Sequence, residues 1–131
     1  MNSRSLNRIL LCVGAAVLVP LSGCATRTIW ESSRNGNLGQ VRELLNNDPQ
    51  LLNAEQVDQV QGDSNNHWTP LHYAVAHQHE KVVAYLLEQG ADPLARARGG
   101  WTPLHAARQI DNRRIERMIV KAIVDSGREL P

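Results

Sequence analysis

Phenylalanine is absent from the 131 residues, and aromatic side chains of all kinds make up 4% of them. A core must therefore be built from Leu, Val, Ile and Ala, residues that suit closely stacked helices. Cysteine is nearly absent too. Cys12 and Cys24 are the only two, too few for a four-thiolate zinc site. Charge of one sign is lacking: 14 basic residues stand against 13 acidic ones, so nothing global points to nucleic acid. There is no G-x-G-x-x-G and no Walker sequence, and Ser32, Ser33, Ser64 and Ser126 stand in no nucleophile-elbow context. Long apolar runs are also missing save one. Residues 9–21 (ILLCVGAAVLVPL) are nearly unbroken, yet fall short of the roughly 20 residues a membrane-spanning helix needs.

That run follows Met1–Arg8, which carries Arg4 and Arg8 and no acid. A basic stretch, a short apolar core and small residues afterwards describe a secretory signal. The small residues are Leu21-Ser22-Gly23-Cys24, a tetrapeptide that resembles the lipobox of bacterial lipoproteins. The resemblance implies a diacylglycerol on the Cys24 thiol, cleavage of a signal peptide over residues 1–23, and a lipid-anchored linker over 24–27. Ordinary secretory cleavage and an uncleaved anchor are the alternatives. Cys12 would leave with the signal, so the mature chain would hold no free thiol and no disulfide. Residues 24–131 are one domain by length.

The decisive pattern is internal. Trp68-Thr69-Pro70-Leu71-His72 recurs in register, thirty-three residues on, as Trp101-Thr102-Pro103-Leu104-His105. The first copy continues through Ala74, Val82-Val83, Leu86-Leu87 and Gly90-Ala91-Asp92. This period with T-P-L-H resembles the ankyrin repeat. The resemblance implies an all-α solenoid of about three helix-turn-helix repeats with hairpin-like fingers, over residues 28–127. The repeats fall at about 28–57, 67–99 and 100–127, with a tail at 128–131.

Each residue of the motif has a physical part. Thr69 suits an N-cap and Pro70 the first helical position, where its missing N–H costs nothing. His72, three residues after the cap, can bond back to it as Glu does in a capping box. A second helix is expected from about Glu80 to Gln89, burying Val82, Val83, Leu86 and Leu87, with Gly90 as its left-handed C-cap. Ala91 through Gly100 reads as an extended finger. Upstream, Ile29-Trp30, Gly36, Val41 and Leu44-Leu45 align with Leu71-His72, Gln78, Val83 and Leu86-Leu87. This first copy carries extra residues within a polar loop at about 55–66, an insertion that costs under about 1 kcal/mol of loop entropy. In the last copy Ile115, Met118, Ile119 and Val120 take the apolar positions. Atypical end repeats are what a stack requires, since each has one neighbour.

The five histidines invite a metal or enzymatic reading. His72 and His105 belong to T-P-L-H, and His79 matches a turn histidine of the family, which leaves His67 and His77 without a partner at ligand spacing. No catalytic residue, cofactor or metal is expected; a small metal-binding or enzymatic protein using His67 and His77 is the competitor from another class. The family resemblance implies protein binding through finger tips and the inner-helix surface. The matching finger positions are Asn65, Asn66, Trp68, Arg96, Arg98 and Trp101, and the inner-helix positions are Arg34, Asn35, Ala76, His77, Gln109 and Ile110. Trp68 and Trp101 either bind a partner or pack on the neighbouring finger. Arg113, Arg114 and Arg117 read as a solvated outer face. The expected protein is a monomer that binds another protein, as scaffold, helper or inhibitor of an envelope protein, and touches the membrane through its lipid. An immunity protein against an envelope-acting toxin shares this fold and differs in partner. By analogy with proteobacterial lipoproteins, Ala25 after the cysteine, rather than Asp, implies the periplasmic face of the outer membrane.

Overall fold

Residues 28–56 and 67–130 are described by the structure, a computed structural model. The expected signal peptide at 1–23, Cys24 with the expected linker at 24–27, and Asn65 and Asn66 lie outside the described residues. Among the described residues six α-helices follow one another in three antiparallel pairs: α1 (Ile29–Arg34) with α2 (Leu38–Asn47), α3 (Pro70–Ala76) with α4 (Glu80–Glu88), and α5 (Pro103–Gln109) with α6 (Arg113–Asp125). Short 3-10 turns occupy Pro49–Asn53 and Arg98–Gly100. The inner helices α1, α3 and α5 pack in succession, as do the outer helices α2, α4 and α6. This all-α stack is the fold the repeat implied.

The helix starts follow from capping chemistry. Thr69 and Thr102 precede a proline at the first helical position, and each backbone N–H meets Nδ1 of the histidine three residues on, at 3.2 and 3.3 Å. The first repeat lacks this box. Thr28 caps α1 instead, its hydroxyl accepting from the Glu31 N–H at 3.2 Å. It stands at the register position of Pro70, so α1 begins a residue late.

The turns between paired helices are alike. Gly36, Gln78 and Asp111 hold φ of 72°, 60° and 52°. The next N–H reaches back to the carbonyls of Ser32, Ala74 and Ala107, respectively, at 2.9, 2.9 and 3.3 Å, the bond that closes a Schellman motif. Gly90 closes α4 in the same way, with φ 93° and the Ala91 N–H 2.9 Å from the Leu86 carbonyl. Gln89 is therefore the cap and not the last helical residue.

Leu71, Ala74, Val75, Val82, Val83, Leu86, Leu104, Ala107, Ile115, Ile119 and Ile123 are essentially inaccessible. Leu87, Met118 and Val120 are half-buried at the rim of this core rather than within it. Helix α6 runs one turn beyond its register with α4, because Ile123 replaces the Gly90 stop and Gly127 ends the helix instead. That extra turn adds Ile123 to the core and lets Arg128 reach Asp92, 2.6 Å away.

Polar contacts tie neighbouring pairs. Arg42 lies 5.1 Å over the Tyr85 ring, Glu80 pairs with Arg114 at 3.2 Å, and Asn53 accepts the Asp92 N–H at 2.9 Å. Exposed ion pairs of this kind contribute little individually. Arg114, read as simply solvated, spans two repeats.

Candidate functional site

The residues expected to face a partner fall into two rows. Arg34, Ala76 and Gln109 are the last residues of the three inner helices, and Asn35, His77 and Ile110 are their C-caps. Arg34, Asn35, His77 and Gln109 are exposed. Ala76 is half-buried, and Ile110 packs against the core. Those two offer less surface than the exposed inner-helix positions expected.

His77 and His79 stack with ring centroids 6.4 Å apart. Partial desolvation, then the Arg34 and His79 charges, hold the His77 pKa below the usual histidine value. His79 is engaged elsewhere: its Nε2 lies 2.8 Å from the Arg34 carbonyl oxygen and so donates to it. His67 sits on the other row, 2.8 Å from Glu55. His67 and His77 thus have different neighbours, and among the described residues no group of three His, Cys, Asp or Glu is placed to hold a metal.

The second row is formed by the fingers. Gln56 and Trp68 make an antiparallel bridge, with the Gln56 N–H 2.9 Å from the Trp68 carbonyl. Most of the polar loop expected at about 55–66 falls at 57–66, outside the described residues. In the next finger the Ala97 N–H meets the Trp101 carbonyl at 2.7 Å. The stretch from Ala91 to Gly100 is less extended than expected, since it contains a turn at Pro93-Leu94 and the 3-10 turn at Arg98–Gly100. Arg96 and Arg98 are exposed there.

The two tryptophans differ. Trp68 is half-buried, edge-on to Tyr73 at 5.0 Å and stacked over His72 at 6.0 Å. Trp101 meets His105 at 5.9 Å and is 45% exposed. The cause is one substitution in the repeat: Ala106 stands where Tyr73 covers Trp68.

A residue absent from the expected set also shapes this edge. His72 is buried, with Nδ1 accepting from Thr69 and Nε2 3.2 Å from the Trp101 carbonyl in the next repeat. That arrangement needs the neutral ring. Burial lowers its pKa, opposed by the Trp101 carbonyl and the Glu55 charge.

A profile described as ankyrin repeats (3 copies) matches residues 16–97. The match begins inside the apolar N-terminal run and stops short of the third helix pair. Over 79 residues the chain is 37% identical to the transient receptor potential cation channel subfamily A member 1 homolog of Caenorhabditis elegans, covering 60% of this chain and 6% of that protein. It is 30% identical over 100 residues to ankyrin repeat and SAM domain-containing protein 6 of Rattus norvegicus, with 56% and 11% covered. To human ankyrin repeat domain-containing protein 39 it is 38% identical over 65 residues, with 50% and 31% covered. The chain therefore spans less than a third of each of these proteins. The likeness lies in the repeat itself.

Proposed function

We propose, from the premise that this chain belongs to the ankyrin-repeat family, that it is a non-catalytic protein-binding module held at the periplasmic face of a bacterial outer membrane by a lipid on Cys24. There it acts as scaffold, helper or inhibitor of an envelope protein. Ankyrin repeats generally mediate protein–protein interaction. The observation that carries the binding reading is the composition of the two rows: Arg34, Asn35, His77 and Gln109 on one, Arg96, Arg98 and Trp101 on the other, all exposed. Trp and Arg are the side chains most often found as interface hot spots. The anchor reading rests on Leu21-Ser22-Gly23-Cys24 after the apolar run and on Ala25 behind it. With Thr28 already capping α1, the first repeat then lies close to the lipid surface.

The test has two arms. Metabolic labelling with a fatty acid should mark the parent and leave Cys24→Ala unlabelled and uncleaved; undiminished label in the variant overturns the anchor. Crosslinked envelopes should yield a partner that Trp101→Ala, and the paired Arg96→Ala, Arg98→Ala change, each retain more weakly by roughly 1–3 kcal/mol. Arg113→Ala with Arg117→Ala on the outer face is the control. Equal capture by finger variants and parent removes this surface from the proposal.

A further inference from the structure

The ring at one repeat position does the same thing twice. Trp30 Nε1 donates to the Ala54 carbonyl at 3.0 Å, and His72 Nε2 to the Trp101 carbonyl at 3.2 Å. Each carbonyl lies in the segment that leads on toward, or into, the next repeat. His105 is the third member of the series. Its Nδ1 is committed to Thr102, 3.3 Å from the backbone N–H and 2.7 Å from the hydroxyl. An imidazole whose Nδ1 accepts carries its proton on Nε2, so His105 presents an N–H. It is exposed, and Nε2 has no acceptor among the described residues. Beside it stands the uncovered Trp101. From Pro93 to Ile110 the chain holds Arg96, Arg98 and Arg108 and no acid, and Arg108 pairs with Glu116.

We infer that this C-terminal edge binds an extended, acidic segment of a partner protein, whose backbone carbonyl takes at His105 the place that the Trp101 carbonyl takes at His72. The inference rests on the protein-binding reading above and adds to it a location and a mode of recognition. An extended segment fits this edge because a helix commits every carbonyl but those of its last turn to its own N–H groups, whereas a non-helical chain offers one at any position. The face of Trp101 offers the apolar contact, as tryptophan does where one side of the ring is packed and the other wet. Arg96 and Arg98, unopposed along the finger, select carboxylates and make association fall with salt.

The experiment titrates isotope-labelled full-length chain, in detergent micelles, with two short synthetic peptides, one alternating Val and Glu and one alternating Val and Lys. Glutamate peptide should shift the Trp101 indole N–H and the His105 ring signals saturably and leave the Trp30 indole in place. Trp101→Ala and His105→Phe should each weaken binding by about tenfold or more, the loss expected at a hot spot. His105→Gln, which keeps a donor near Nε2, should stay within about threefold of the parent. Circular dichroism establishes that each variant is folded, and Trp101 lies outside every helix should His105→Phe fail that check. Absence of shifts at Trp101 and His105, equal binding of the lysine peptide, or unchanged affinity in the folded variants overturns the inference. Shifts centred instead on Arg34, Asn35 and His77 would overturn it too, while leaving the protein-binding reading in place. Self-association through Trp101 without peptide would make a second copy the occupant and reject an acidic partner.

Discussion

The His79 imidazole lies against the Cα of Gly36, so that a Cβ built there would stand 2.4 Å from Nδ1. Two constraints thereby meet at one residue. Gly36 holds φ at 72°, and the ring that crowds it is fixed by donating to the Arg34 carbonyl at 2.8 Å. Gln78, at the equivalent turn, tolerates a side chain because its neighbour is the smaller Asn112, 3.4 Å from its amide oxygen. Gly36→Ala should therefore destabilise the fold by about 1–3 kcal/mol, the cost of a left-handed non-glycine residue with further crowding. Gln78→Gly should stay within about 1 kcal/mol of the parent. Urea denaturation followed by helical circular dichroism compares the two; similar losses would mean that the His79 ring is not what constrains Gly36.

Leu86 is inaccessible to solvent and sits in α4, the outer helix with a neighbour on both sides. Leu86→Ala should cost about 2–5 kcal/mol. With three repeats, such a loss reaches the whole stack rather than one layer, because each pair depends on its neighbours. Met118→Ala, at the half-buried rim, should cost distinctly less. Denaturation midpoints rank the two, and a Leu86 loss no larger than that of Met118 would contradict the packing.

Much of this was legible because two copies of T-P-L-H mark the starts of α3 and α5 by local chemistry, and Gly90 marks the stop of α4. What escaped the sequence was set by contacts between repeats. The thirty-three-residue period ends α6 where Ile123 stands, yet nothing at Ile123 breaks a helix, and Ile115, Ile119 and Ile123 continue one buried stripe. Trp68 and Trp101 look equivalent until Tyr73 and Ala106 are compared, since the covering side chain lies a turn away on the following helix. The bond from His72 to the Trp101 carbonyl joins different repeats and leaves no periodic signal. The family resemblance implies that Ala76 and Ile110 are surface positions; in this chain both are half-buried, and Ile110 packs against the core.

The same His72 makes stability depend on pH. Its folded pKa lies below the ordinary histidine value near 6.5, chiefly through burial. Between the two values the unfolded chain binds a proton that the folded chain does not, so stability rises with pH across that window. Its contribution is complete above about 6.5 and is lost as pH falls through the folded pKa. His72→Gln keeps an acceptor for Thr69 and a donor for the Trp101 carbonyl but cannot be protonated. The variant should lose less stability than the parent when urea midpoints at neutral pH and near pH 5 are compared. His77, lowered in the same direction, remains in both proteins and accounts for a residual slope. Identical slopes in parent and variant would remove His72 as the cause.

The end of the stack has its own chemistry. Val75 and Val83 are inaccessible in the middle repeat, whereas Arg108 and Glu116, at the same register positions one repeat later, are partly exposed and pair at 3.1 Å. The contrast identifies Val75 and Val83 as the surface that the third repeat covers, and the ion pair as what replaces it where no repeat follows. As an exposed pair it should be worth no more than about 0.2–1 kcal/mol, so Arg108→Ala should scarcely move the denaturation midpoint. Its value lies in what it prevents. Arg108→Val with Glu116→Val would rebuild an apolar stacking face at an open end, and contiguous exposed apolar surface drives association. Sedimentation should then reveal concentration-dependent oligomers in the double variant and not in the parent. A double variant that sediments like the parent at every concentration would place the stop elsewhere, at the extra turn of α6 and the Arg128–Asp92 clasp that bring the chain back against the repeat before it.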